Sequence, residues 1–418
     1  MKARIVALVQ QLVRTDSVAI PPDGHEGPAQ KVLLRFCKEH NLDAELYDTG
    51  FVLRSNHPYV RRDRHYRGRP NLIARLPGTG RGRSLLLTGH VDTVPAGTGA
   101  WHDSPFSGAI RAGRLYGRGS WDMKGGLAAQ FAVAAALRRA GVRLGGDLLC
   151  ESVIDEEWAG GGGTLAGRLR GDNADAAVIA EGTNLATLRA TRGGHFFEIE
   201  CAAGDSKAYF SKQEAVSPAV PMGRLLGWID QWTQRRRLVP VSGPYRGFAD
   251  PTPVQVLAME ANRFDPCMPW SVPLAGRVRV YFQFLPSEDV IGAVGRIKES
   301  FKSFCRRDPF FKAYPPIWRD IVWPPLLGHE LPAADPWTKC LVASATAAIN
   351  QPPAISAAPY PCDAFLLQRE FGIPTLLFGP CGAGAHNIDE HVTIRSVIQT
   401  AQTLLTAALV WCGGKATL

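Results

Sequence analysis

No apolar run in this 418-residue chain approaches the roughly 18 residues that a membrane-spanning helix needs, so the sequence points to no membrane partner. Cys-x-x-Cys pairs are also missing. The nine cysteines are odd in number and widely spaced, which argues against a disulfide framework and for a reducing, cytoplasmic compartment. The N-terminal MKARIVALVQQLVRTDS lacks the continuous apolar core and small-residue cleavage site of a secretory signal, and reads as an amphipathic helix. Repeats and low-complexity tracts are absent. Acidic residues are outnumbered by basic ones, 38 to 47, for a net charge of +9. The arginines are nevertheless dispersed, and the one dense run, residues 61–69 (RRDRHYRGR), has no aromatic-studded basic motif beside it. It reads as a solvated loop, and nucleic acid is not expected as a partner. What remains is an ordinary globular composition, 45% hydrophobic, in a chain too long for one typical core. Two domains, or one domain with a large insertion, are expected.

Strand-like and helix-like segments alternate up to about residue 185: strands at 84–88, 147–154 and 174–180, with a helix at 125–140. Such alternation predicts α/β architecture, a mostly parallel sheet covered by helices. The pattern then changes to strand 195–203, helix 222–237, strands 254–260 and 277–285, and helix 287–306, which describes a small α+β domain inserted into the first. After Pro-rich punctuation at 314–325, a helix at 337–349, a strand at 375–378 and a helix at 392–411 return to the α/β style. The expected division is 1–189 and 319–418 for a catalytic domain, with 190–318 inserted as a lid.

Chemistry collects where these strands end. In TGHVDTVPAG, His90 and Asp92 follow the apolar run 85–87 and, two residues apart, face the same way. His90 can ligate a metal while Asp92 orients the imidazole from behind, although a His-x-Asp pair can equally be a hydrogen-bonded turn. In GRGSWDMKGG, Asp122 sits just before a helix, as a ligand or as a plain helix cap. Strand 147–154 runs into Asp155, Glu156 and Glu157, three carboxylates whose mutual repulsion asks for a cation unless they form a solvated loop. Strand 174–180 ends at Glu181. His386 lies in the glycine-rich loop of FGPCGAGAHNIDEHV, where a lone histidine is either exposed or ligating. Imidazole and carboxylate donors suit Zn, and also Mn or Co. With one carboxylate bridging, five ligands make two three-ligand sites with open positions, a dinuclear catalytic centre.

GHVDTVP, GRGSWDMKGG, DEEWAGGG, AEGT and GPCGAGAHNIDEHV, in that order and at these spacings, resemble the blocks of the dinuclear zinc metallohydrolases related to acetylornithine deacetylase, succinyl-diaminopimelate desuccinylase, aminoacylase and the glutamate carboxypeptidases. The resemblance implies a zinc-exopeptidase-like catalytic domain interrupted by an α+β, ferredoxin-like lid, often used for homodimerisation. It also implies two Zn ions, one held by His90 and Glu181 and the other by Glu157 and His386. Asp122 would bridge them, Asp92 would back His90, and Glu156 would be the general base.

Departures from the family pattern fall in the lid. Gly204 to Tyr209 holds no histidine where many relatives have one, and Lys207 is the only cation there. Gln283 stands three residues before Pro286 in place of a carboxylate-binding arginine, and Trp270 replaces an asparagine near Val272-Pro273. The expected activity is cleavage of an amide bond in an N-acyl amino acid or related N-acylated small molecule. An exopeptidase or dipeptidase, and a catalytically silent metal-binding protein, remain as alternatives.

Overall fold

The computed structural model describes residues 2–202, 217–241, 243–261 and 274–414. The chain divides into two compact units: Met1–Ala190, His329–Ala358 and Cys362–Leu418 form one, and Thr191–Gly328 with Pro359–Pro361 the other.

The first unit is built on an eight-stranded sheet. From edge to edge it runs Ile355–Ser356, Thr187–Leu188, Thr375–Leu377, Ala177–Ile179, Leu85–Thr88, Leu148–Ser152, Asn71–Leu76 and Asp43–Tyr47. The four strands from Thr375–Leu377 to Leu148–Ser152 are mutually parallel, and the last two are antiparallel additions. Leu85, Leu86, Leu87 and Leu148 are fully buried, the mark of parallel strands covered on both faces. Helix Gly125–Arg139 is apolar nearly all round because it is enclosed, burying Leu127, Phe131, Val133 and Leu137. Helices Pro336–Ile349 and Ile394–Trp411 pack together through Trp337 and Trp411, ring centroids 5.0 Å apart. The ladders at 148–152 and 177–179 are shorter than the sequence suggested, the second mostly at its N-terminal end.

The second unit has the element order strand, helix, strand, strand, helix, strand. Its antiparallel sheet runs Val254–Glu260, Ala275–Phe284, Gly193–Ala202 and Ile317–Asp320, the ferredoxin-like arrangement. Inward-facing Phe197, Ile199, Val280, Phe282 and Phe284 meet Leu225 and Trp228 of helix Ala219–Arg236 and Val294 and Ile297 of helix Val290–Arg307 in one core. The latter helix begins later than residue 287, at the cap that Asp289 provides by accepting the Gly292 N–H at 3.0 Å. The unit also continues to Gly328, past the expected boundary at 318. The Pro-rich segment 314–325 contains the edge strand Ile317–Asp320, which pairs with Phe197 to Glu200, and Trp318 stacks on Phe197 at 3.7 Å. Lys207 and Trp270 lie outside the described residues. Gln283 is buried and accepts a 2.8 Å hydrogen bond from Nη1 of Arg192, the residue just before strand Gly193–Ala202.

One expectation is corrected in part. Residues 61–69 are solvated at Arg62, Asp63, His65 and Arg67, but Arg61, Arg64 and Arg69 are buried, because Asp63, Asp155 and Glu26 supply compensating charge. Among the described residues no helix is long and apolar enough to cross a membrane.

Candidate metal centre

Four parallel strands deliver the site, and their common direction brings the segments after their C-terminal ends to one edge of the sheet, where α/β proteins bind ligands. Leu85–Thr88 leads to His90 and Asp92, and the pairing extends one step further, with the Val91 N–H donating to Val153 O at 2.9 Å. Leu148–Ser152 leads to Asp155, Glu156 and Glu157, Ala177–Ile179 to Glu181, and Thr375–Leu377 to the loop of His386. Asp122 comes from the turn Ser120–Lys124. It does not cap the following helix: Lys124 occupies that position, without a side-chain cap. Gly126 lets this helix press on the strand end, for a Cβ there would lie 1.7 Å from Ala180 O, next to Glu181.

Asp122 divides its carboxylate between two imidazoles. Its Oδ1 is 3.1 Å from His90 Nε2 and its Oδ2 is 3.1 Å from His386 Nε2. Glu181 Oε1 stands 3.4 Å from His90 Nε2, and Glu157 Oε2 stands 3.1 Å from His386 Nε2. Two triads result, His90 with Asp122 and Glu181, and Asp122 with Glu157 and His386, each able to offer one donor atom per residue within 4.8 Å of the others. Glu156 belongs to neither, its Oε2 being 3.9 Å from His90 Nε2. The five residues expected as ligands are thus brought together, with the expected base beside them.

Asp92 sits deeper than a simple backing group. His90 Nδ1 is 2.9 Å from the Asp92 carbonyl and 3.6 Å from its Oδ1. A carbonyl partner puts a proton on Nδ1 and turns Nε2 toward the site, where it can ligate a cation on losing its own proton. The Asp92 carboxylate accepts the N–H groups of Glu156 at 3.3 Å and Glu157 at 3.1 Å, and so fixes both acids.

Charge is badly balanced here. Burial disfavours the His90 imidazolium, but hydrogen bonds to Asp122 and Glu181 and the charge of Glu156 hold its pKa well above the usual value. Burial opposes His386 too, and Asp122 and Glu157 lift it to about 11. Asp122 goes the other way: against burial, hydrogen bonds from both histidines draw it far below the carboxylate range. Burial pushes Glu181 up, Glu156 well up, and Asp92 to about 8. A site buried at His90 and open at His386, which concentrates carboxylates around two imidazoles with no thiolate among them, has the donor chemistry for Zn, Mn or Co.

Two groups escaped the sequence reading. Glu390 lies within the GPCGAGAHNIDEHV block, but nothing singled it out. Its buried carboxylate accepts the N–H groups of Gly119 at 2.8 Å, Trp121 at 2.9 Å and Asp122 at 3.0 Å, and pairs with Arg118 Nη1 at 2.6 Å. It therefore shapes the turn that presents Asp122. The second group is the pair Arg64 and Arg69 behind Asp155, whose only sequence signal was an arginine run of surface character.

The chain is similar to several known proteins. The model of peptidase family M20/M25/M40 matches residues 86–410. N-formyl-4-amino-5-aminomethyl-2-methylpyrimidine deformylase of Halalkalibacterium halodurans is 25% identical over 441 aligned residues, covering 98% of this chain and 95% of that protein. Succinyl-diaminopimelate desuccinylase of Methylobacterium radiotolerans is 43% identical over 124 residues, 28% of this chain and 31% of that one. Human carnosine dipeptidase 1 shares the fold, with a TM-score of 0.76 at 15% identity, covering 99% and 97% of the two chains.

Proposed function

The chain belongs to peptidase family M20/M25/M40, and from that premise we propose that it is a deacylase, a metal-dependent hydrolase that cleaves the amide bond of an N-acyl amino acid or a related N-acylated small molecule. The observation that carries the reading is the split carboxylate of Asp122, facing His90 with one oxygen and His386 with the other. The full-length relative named as a deformylase and the partial relative named as a desuccinylase both remove an acyl group by their names, which supports the substrate class.

His90, Asp122 and Glu181 would hold one cation and Asp122, Glu157 and His386 the second, with Zn the first choice and Co or Mn as alternatives. When bound, such a pair supplies Lewis acidity, making water easier to deprotonate and the scissile carbonyl more electrophilic. Glu156 takes the water proton and returns it to the leaving nitrogen, so that the amine departs neutral. Burial, which raises the affinity of Glu156 for that proton, suits it to both halves of the transfer. Asp92 keeps the base on station by gripping the Glu156 and Glu157 N–H groups.

A homodimer through the second unit is part of this reading. Its support is the edge strand Val254–Glu260, which leaves Val256, Leu257 and Met259 about half exposed. Eight cysteines among the described residues are free, which favours a reducing, cytoplasmic setting.

Metal-loaded protein should hydrolyse members of a panel of N-formyl, N-acetyl and N-succinyl amines and amino acids, assayed by amine release with dipeptides alongside. Glu156→Gln should keep its metal and lose about 10²- to 10⁴-fold in kcat. Turnover of dipeptides alone would replace the deacylase with a dipeptidase, and an unimpaired Glu156→Gln would move the base elsewhere.

A further inference from the structure

The general base sits on an unusual piece of backbone. Asp155, immediately before Glu156, has φ of +68°, a left-handed conformation that a non-glycine residue holds only where its surroundings impose it. The imposition comes from one neighbouring segment. Asp155 Oδ1 accepts from Arg64 through both Nε, at 2.7 Å, and Nη2, and from Arg69 Nη2 at 3.0 Å. Arg69 is anchored by Glu26, 2.8 Å from its Nε, and by the His65 carbonyl at 2.9 Å. The side chains of Arg64, Asp155 and Glu26 are completely buried and that of Arg69 nearly so. Arg61 reaches the far end of the same turn, its Nη1 donating to Trp158 O at 3.2 Å.

The turn is therefore gripped from two sides. Arg64 and Arg69 hold Asp155, while Asp92 holds the N–H groups of the next two residues. A Gly160 N–H to Asp155 O bond of 2.8 Å closes it. This grip sends adjacent acids to different tasks, Glu157 toward His386 and Glu156 toward His90 without joining either triad. Arg64 and Arg69 match the two negative charges of Asp155 and Glu26, so the cluster itself carries no net charge. A buried four-charge cluster is a poor device for stability alone, because desolvation consumes most of its attraction, whereas two guanidinium groups converging on one oxygen, Asp155 Oδ1, with Arg69 itself held by both oxygens of Glu26, fix direction.

We propose that Arg64 and Arg69 are positioning residues that aim the Glu156 carboxylate through Asp155. The inference rests on the reading of Glu156 as the base. Misplacing a catalytic group by about 1 Å can cost on the order of 10²-fold in rate.

The test is a set of three double-mutant cycles measuring kcat, KM, bound metal and melting temperature. Arg64→Lys and Arg69→Lys keep the charge but lose the fork, and Asp155→Asn keeps shape and left-handed tolerance but loses the charge. Each should lower kcat by about 10- to 100-fold, with KM and metal content within about twofold of wild type. In a Glu156→Gln background the same substitutions should change residual single-turnover rates by less than about twofold, since no base is left to misaim. Equal losses in both backgrounds, or losses that vanish once rates are expressed per metal-loaded site, would overturn the proposal in favour of a purely structural cluster. Should the arginine variants fail to fold, Asp155→Asn alone decides between these outcomes. Wild-type turnover in Glu156→Gln by itself would remove the base assignment, and this proposal with it.

Discussion

Replacing Glu390 by glutamine is expected to disturb Asp122, the proposed bridge between the metals, through the backbone turn that presents it. The carboxylate accepts three backbone N–H groups, from Gly119, Trp121 and Asp122, and pairs with Arg118, which is only 2% exposed. Glutamine preserves one acceptor oxygen and turns an NH₂ donor toward the N–H and guanidinium donors on the other side. Charge-assisted hydrogen bonds contribute about 1.5–3 kcal/mol each, and stranding a buried partner such as Arg118 costs about 3–5 kcal/mol. A net destabilisation of about 3–5 kcal/mol is the result, read as a lower midpoint in urea unfolding monitored by far-UV circular dichroism. Because two of the three N–H groups belong to Trp121 and Asp122, the turn Ser120–Lys124 should loosen as well, and divalent metal should dissociate more readily in chelator competition. Removing the stranded cation should recover part of the stability, so Arg118→Met combined with Glu390→Gln should be more stable than Glu390→Gln alone. A single variant within about 1 kcal/mol of wild type, with unchanged metal retention, would refute the idea that Glu390 holds the Asp122 turn.

Gly126→Ala places a Cβ 1.7 Å from Ala180 O, so helix Gly125–Arg139 must lift from the strand end that presents Glu181. A loss of about 1–3 kcal/mol and weaker metal binding are expected by thermal unfolding and metal titration, and unchanged values would show that the helix has room to move. His329, buried with Nε2 3.2 Å from Thr375 O, is lowered from 6.5 to about 4 by burial. The native state then binds fewer protons than the unfolded chain, so this contribution is intact above about pH 6.5 and is lost as pH falls toward 4, by at most roughly 3 kcal/mol. His329→Gln should flatten unfolding free energy against pH over that window, and an unaltered slope would exclude the histidine as its source.

Much of the fold was legible because its signals were local. The apolar runs at 85–87 and 148–149 announce buried parallel strands, and turn-forming residues at their ends mark the places where side chains leave the sheet. His90, Asp92, Asp122, Glu156, Glu157, Glu181 and His386 could be picked out because each follows such an end or precedes a helix. Strand Ile317–Asp320 was not legible: four residues between prolines become a strand only because Gly193–Ala202 offers a free edge. The arginine run 61–69 misled for a related reason, since a guanidinium looks solvated until Asp155 and Glu26, distant in sequence, are known to lie against it. Glu390 carried no signal of its own, because the groups it satisfies are backbone N–H donors some 270 residues away, which no side-chain pattern records.

The central claim is that two cations share Asp122, and metal stoichiometry tests it most directly. Protein stripped with chelator and dialysed against Zn²⁺ should bind two ions per chain by elemental analysis. His386→Ala should keep one tightly, at the site of His90 and Glu181, and Asp122→Ala should weaken both. Wild-type protein that saturates at one ion or none, or an Asp122→Ala variant that retains two, would contradict a bridged dinuclear centre.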